Sequence, residues 1–239
     1  MKAVAPMAGI TNADFLKKVI PYGFDMVTLG GYNIDDATLK AALEITKRGR
    51  PEFIIPISDV LSEISSEVNV LKEFKEDILI STNLRSTTPE AIVEVSKIPN
   101  LDIVEINCHC RQNELLAIGC GQKMLLCDDL EDFICHVVKK ASSKVSVKIR
   151  ANVSGVDTLE ISKLISSCGV DYLHIDAMKV GFNDFDFELL ENIVKEVDTF
   201  IIGNNSINSS QQLFKMLNTG VQGFSIGRAL INGSIDFEI

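Results

Sequence analysis

Short apolar runs alternate along this chain with longer stretches in which apolar residues recur every three or four positions. The runs Lys2 to Met7, Asp25 to Leu29, Ile78 to Leu84, Asp102 to Asn107, Val145 to Arg150, Val170 to Asp176, Thr199 to Gly203 and Gly223 to Ile226 read as buried strands. Glu52 to Ile57 is also apolar and extended, but Pro56 demotes it to an edge or irregular strand. Between the runs lie helical patterns. Leu130, Phe133, Ile134, Val137, Val138 and Ala141 form one apolar face, and Ile161, Leu164, Ile165 and Cys168 form another. Leu190, Ile193, Val194 and Val197, then Leu213, Phe214 and Leu217, repeat the pattern. Helix starts are marked by Thr11 or Asn12, by Asn33-Ile34-Asp35-Asp36 ahead of a helix to about Arg48, and by Thr88-Pro89-Glu90. A polar helix spans roughly Ser62 to Phe74.

Strands alternating with helices predict a parallel sheet with crossover connections. Eight such units in 239 residues predict a single-domain (β/α)8 TIM barrel, residues 1–239. The segment from Asn33 to Glu76 is then an enlarged connection after strand two. A doubly wound open sheet is the alternative, and against it no Gly-x-Gly-x-x-Gly follows the first strand. In a barrel, ligands sit at the carboxyl ends of the strands. Those ends carry Met7, Asn83, Asn107, Lys148, Asp176, Asn204 and Gly227-Arg228, mostly polar. Polar residues gathered at one end of successive strands predict a site there.

The end of the fourth strand is the densest in chemistry: Asn107-Cys108-His109-Cys110 offers an amide, an imidazole and two thiols. Buried free cysteines also serve as small hydrophobes, so packing is the competing reading. The wider stretch adds Cys120, Cys127, Cys135 and His136, which raises a metal or iron–sulfur site. Its spacing lacks the two-residue gap of zinc knuckles, and no metal is assigned. Six cysteines without an export signal predict reduced thiols and a cytoplasmic protein. No apolar run reaches the roughly 18 residues of a membrane span. A net charge of −10 disfavours unaided nucleic-acid binding.

Five motifs in order carry a resemblance. They are Ala5-Pro6-Met7-Ala8-Gly9, Glu105-Ile106-Asn107 with a cysteine three after the Asn, Val147-Lys148-Ile149-Arg150, Ile202-Gly203-Asn204 and Ser225-Ile226-Gly227-Arg228-Ala229. Over nearly its whole length the chain resembles the tRNA-dihydrouridine synthases, FMN-dependent TIM barrels related to dihydroorotate dehydrogenases. The resemblance implies an FMN-dependent oxidoreductase that reduces, or oxidises, a C=C bond of a pyrimidine-like substrate. It implies that Pro6 and Met7 pack on the flavin, that Asn83 reaches its ring where the family usually has Gln, and that Lys148 lies by the N1–C2=O edge. It places Gly203, Asn204, Gly227 and Arg228 at the FMN phosphate and Asp176 beside the cofactor. It makes Cys110 the catalytic acid, with Asn107 holding the substrate and Lys148 assisting.

The chain also departs from the family. The family's Asn-x-Gly-Cys-Pro is here Asn107-Cys108-His109-Cys110-Arg111, and its His-Gly-Arg after strand six is Asp176-Ala177-Met178. The chain ends soon after strand eight, where family members continue into a helical domain that helps grip tRNA. With the acidic charge, this predicts no tight tRNA binding. Extended geometry predicts that Cys108 shares the direction of Cys110, as a rival acid, and that His109 points away. Two further readings stay open: a flavin-free barrel acting on a phosphorylated small molecule, with Lys148 forming a Schiff base, and an FMN-binding barrel without catalysis.

Overall fold

A computed structural model describes all residues 1–239. In chain order its elements are β1 (Lys2–Val4), α1 (Ala13–Val19), β2 (Met26–Asn33), α2 (Asp36–Thr46), α3 (Val60–Phe74), β3 (Leu79–Arg85), α4 (Pro89–Val95) and β4 (Ile103–Cys108). There follow α5 (Asn113–Leu116), α6 (Leu130–Lys140), β5 (Lys144–Arg150), α7 (Thr158–Ser167), β6 (Tyr172–Asp176), α8 (Phe187–Glu196), β7 (Phe200–Asn204), α9 (Ser210–Leu217) and β8 (Gly223–Ile226). All eight strands pair in parallel with their sequence neighbours, and β8 closes on β1. The chain is a TIM barrel, as its alternation predicts.

Local chemistry explains most boundaries. Asn12 caps α1 by accepting the Phe15 N–H at 2.9 Å, and Asp35 and Thr38 form a reciprocal capping pair at the start of α2. The expected polar helix begins at Val60 and buries Val60, Ile64, Val68 and Leu71 at helical spacing. Three boundaries differ from expectation. β1 ends at Val4, just ahead of Pro6, which has no N–H for a ladder. β2 runs on through Gly30 and Gly31 to Asn33, because the ladder with β3 continues past the glycines to Tyr32↔Leu84 and Asn33↔Arg85. Residues 52–56 form no strand and lead into a 3-10 turn, Ile57–Asp59. That stretch lies in the enlarged connection, which carries α2 and α3.

The strands alternate their side chains between two environments. Val27, Leu29, Ile80, Leu84, Val104 and Ile106 point outward into the main core beneath the helices. The other parity points into the barrel. Ala3, Met26, Ile103, Tyr172 and Ile202 make an apolar plug at its base. Above the plug the inward residues turn polar: Ser81, Glu105, Ser146, His174 and Ser225, all buried. Above these, at the carboxyl ends, the barrel opens into a cavity of about 1020 Å³. No helix is long and apolar enough to cross a membrane.

Candidate active site

Apart from Ser81, whose buried Oγ makes no hydrogen bond, the polar layer beneath the cavity is one connected network. Glu105 accepts from Asn83 Nδ2 at 2.8 Å on Oε1 and from Ser146 Oγ at 3.0 Å on Oε2, and His174 Nδ1 lies 2.7 Å from the same Oε2. His174 Nε2 lies 2.7 Å from Lys148 Nζ and 2.6 Å from Ser225 Oγ. An ammonium only donates, so Nε2 must accept and Nδ1 carries the proton to Glu105; the histidine is the neutral tautomer. Burial and the Lys148 charge hold His174 down at about 4, in agreement. Burial would raise Glu105, but His174, Lys148 and Asn83 outweigh it and hold the carboxyl at about 2. Burial also lowers Lys148 to about 8, against the pull of Glu105, Asp176 and Cys110.

Asn107, the next inward residue on β4, links this layer to the thiol. Its amide nitrogen donates to Asn83 Oδ1 at 2.7 Å and to Cys110 Sγ at 3.2 Å. Its amide oxygen accepts the backbone N–H groups of His109, at 3.2 Å, and Cys110, at 3.0 Å. The last two bonds turn the chain as it leaves β4. Extended alternation therefore stops at Cys108, which overturns two expectations. Cys108 does not share the direction of Cys110; it packs outward, its Sγ 3.9 Å from Met124 Sδ, and burial pushes its thiol well above the usual range. His109 does not point away, since both His109 and Cys110 line the cavity.

His109 Nε2 lies 2.5 Å from Asp176 Oδ2, which also accepts from Arg150 Nη1 at 3.0 Å. Asn205 donates to the other Asp176 oxygen. These partners hold Asp176 well below the usual carboxylate range despite burial, and Asp176 in turn raises His109 against the effect of burial. On the other flank stands Arg85, 2% exposed, paired to Glu52 at 2.6 Å and with its Nε unpartnered. Burial alone would raise Cys110, yet the Arg85 guanidinium, His109 and the Asn107 amide bring it down to about 6.

The opposite wall is built from the ends of β7 and β8. After Asn204, residues Asn205 and Ser206 take positive φ of 116° and 55°, and the loop to Asn208 lines the cavity with Gly227, Arg228 and Ala229. The backbone N–H groups of Asn205, Ser206, Ile207, Asn208 and Gly227 find no acceptor within the protein. Such a concave set of donors suits an anion. Gly203 is not part of this wall. A Cβ there would lie 2.4 Å from Met216 Sδ, so the glycine exists to let α9 approach β7.

The dihydrouridine synthase family model matches residues 3–233. The chain belongs to the dihydrouridine synthase family. An uncharacterised protein of Methanocaldococcus jannaschii is 33% identical over 98% of this chain and 90% of its own length. A probable tRNA-dihydrouridine synthase of Helicobacter pylori is 24% identical over 95% of this chain, and tRNA-dihydrouridine synthase B of Vibrio cholerae is 22% identical over 94%. This chain spans 66% of the length of each of those two proteins. Among solved structures, the N-acetylmannosamine-6-phosphate 2-epimerase of Clostridium perfringens covers 95% of this chain and 84% of its own, with a TM-score of 0.56 at 15% identity. The thiamine phosphate pyrophosphorylase of Pyrococcus furiosus covers 98% and 87%, with 0.57 at 13%. These two likenesses concern the fold.

Dihydrouridine synthases are in general flavin-dependent oxidoreductases. Pro6, Met7, Asn83, Asn107, Cys110, Lys148, Asp176, Asn204, Gly227 and Arg228 all line the one cavity; Gly203 alone of the expected residues does not. Sequence reading missed Glu105, His174, Arg85 and Arg150. Each has the parity of a recognised strand-end residue, two positions away along β3 to β6, and counting by two from Asn83, Asn107, Lys148 and Asp176 would have found them.

Proposed function

We propose that this protein is an FMN-dependent oxidoreductase of the dihydrouridine synthase type, acting on a C=C bond of a pyrimidine ring. The observation that carries this is the Cys110 thiol, held by Asn107 at the cavity wall beside the buried Lys148 and across from a wall of free backbone N–H groups. The residues present fit the cofactor. The donors of 205–208 and Gly227 suit its phosphate, and a Cβ at Gly227 would meet only Ala5, at 3.5 Å. Pro6 and Met7 offer an apolar wall for a flat ring, while Lys148 and Asn83 offer a cation and an amide for its polar edge. Bound FMN would supply a ring that gives or takes a hydride. The chain's own part is the matching proton: Cys110 donates it to, or removes it from, the substrate carbon, oriented by Asn107. Asp176 keeps His109 in place and favours its charged form beside the thiol. Lys148, anchored on His174 over Glu105, holds positive charge fixed in a dry site.

An absorbance spectrum of the protein as purified is the first test, with flavin bands expected; a colourless protein that takes up no FMN would return the flavin-free reading. Cys110→Ala is then expected to retain FMN yet fail to reoxidise it with substrate, whereas Cys108→Ala leaves turnover intact. Equal turnover by Cys110→Ala and wild type would sink the assignment.

A further inference from the structure

The charges around the cavity run against those of the chain. The chain carries 23 Lys and Arg and 33 Asp and Glu. Yet the cavity is lined by Arg50, Arg85, Arg111, Lys148, Arg150 and Arg228, and by one carboxylate, Asp176. Three of these cations are answered inside the protein. Arg85 pairs with Glu52 at 2.6 Å, Arg150 with Asp176 at 3.0 Å, and Lys148 lies in the layer held by Glu105. Arg228 stands with the free N–H groups of the β7–β8 wall.

That leaves Arg50 and Arg111. Arg50 reaches only Glu52, at 3.5 Å, on a carboxylate already committed to Arg85. Arg111 makes no ion pair and no side-chain hydrogen bond. With Arg48, Gln112 and Asn113 they enclose a notch of about 240 Å³ that has no apolar residue in its lining. Arg48 contributes a guanidinium already held at 2.9 and 2.8 Å by Glu114, so it is fixed in place but neutralised. Gln112 lines both the notch and the main cavity, and its buried Oε1 has no partner. Arg111, without a partner, and Arg50, which shares Glu52 with Arg85, are two guanidinium groups at one polar notch, a pairing that suits an anion.

Its place matters. The notch is supplied by the connection after β2 and the loop after β4, with Arg111 next in sequence to Cys110. The donors of the proposed FMN phosphate come from β7 and β8, three and four strands round the closed barrel from β4. One flavin phosphate does not serve both.

We propose that Arg50 and Arg111 form a second anion site, which takes a phosphate of the substrate while its ring lies at Cys110. Given the reading of the site above, the substrate class is a phosphorylated pyrimidine nucleoside, either a free nucleotide or a nucleotide within an RNA strand.

Calorimetric titration of uridine 5′-monophosphate, uridine and a short single-stranded RNA without terminal phosphates tests this, with wild type and the Arg50→Gln/Arg111→Gln double variant. Wild type is expected to prefer the monophosphate over uridine by at least about tenfold. The double variant is expected to lose that preference while keeping its flavin content and thermal midpoint. An arginine-dependent affinity for the RNA, with none for the monophosphate, keeps the site and makes its source a polynucleotide backbone. The proposal is overturned if wild type binds neither phosphorylated ligand, or if the double variant binds both as tightly as wild type. A double variant that unfolds is replaced by Arg111→Glu, judged by the same criteria. The comparison does not use the flavin: a colourless protein that shows the arginine dependence sinks the flavin reading alone, and a yellow protein without it sinks the anion site alone.

Discussion

Asn107 does four things with one amide: it donates to Asn83 and to the Cys110 sulfur, and it accepts two backbone N–H groups that end the extended chain. The residue thus decides which thiol faces the cavity, and the decision sets the chemistry. A thiol near 6 is mostly ionised at neutral pH, so its capacity to donate a proton declines as pH rises. Reduction of substrate by flavin-loaded protein is therefore expected to slow by about tenfold per pH unit above that midpoint, and the reverse reaction to gain. His109→Ala removes a neighbour that holds the thiol down, raises it, and is expected to move the falling limb to higher pH. Measuring substrate-driven flavin reoxidation from about pH 5 to 9 checks both; a flat profile would remove Cys110 from the proton step.

At the scale of elements, periodicity alone placed all eight strands and most helices, because most strands are apolar on both faces near their base and most helices have one apolar stripe. What it could not place was whatever depends on a neighbour. β2 outran its glycines because β3 offered a ladder. Residues 52–56 looked like a strand yet have no neighbouring edge to join; they serve to deliver Glu52 to Arg85. Glu105 hid in an apolar run, and His174 hid between Leu173 and Ile175, since a buried polar residue declares itself only when its partners across the barrel are known. Glycine shows the same limit. Gly203 and Gly227 read alike in sequence, but the first is pressed by Met216 and the second fronts the cavity. Gly203→Val is expected to destabilise the fold by roughly 1–3 kcal/mol through overpacking. Gly227→Val is expected to fold normally and lose FMN retention. Denaturant midpoints and bound-flavin ratios distinguish the two, and tight FMN binding by Gly227→Val would move the phosphate elsewhere.

The whole molecule is a barrel with an ionised interior layer above an apolar base, and that layer makes its stability depend on acid. His174, held at about 4, gains a proton on unfolding below its ordinary 6.5, and Glu105, held at about 2, does so below its ordinary 4.5. Both shifts are downward, so both contributions are present at neutral pH and lost as pH falls: first His174 between about 6.5 and 4, then Glu105 between about 4.5 and 2. Thermal midpoints are expected to fall across the upper window, and His174→Asn to flatten it; an unchanged slope would mean the histidine is already charged in the fold. The base of the barrel has a different consequence. Ala3, Met26, Ile103, Tyr172 and Ile202 close that end, so molecules reach the interior through the mouth alone. If a flavin works there, the compound that loads it with electrons and the compound that unloads it must use one doorway in turn. Double-reciprocal plots at several fixed donor concentrations should then be parallel lines, the signature of two half-reactions that never share the enzyme, and lines that converge would reveal a second way in.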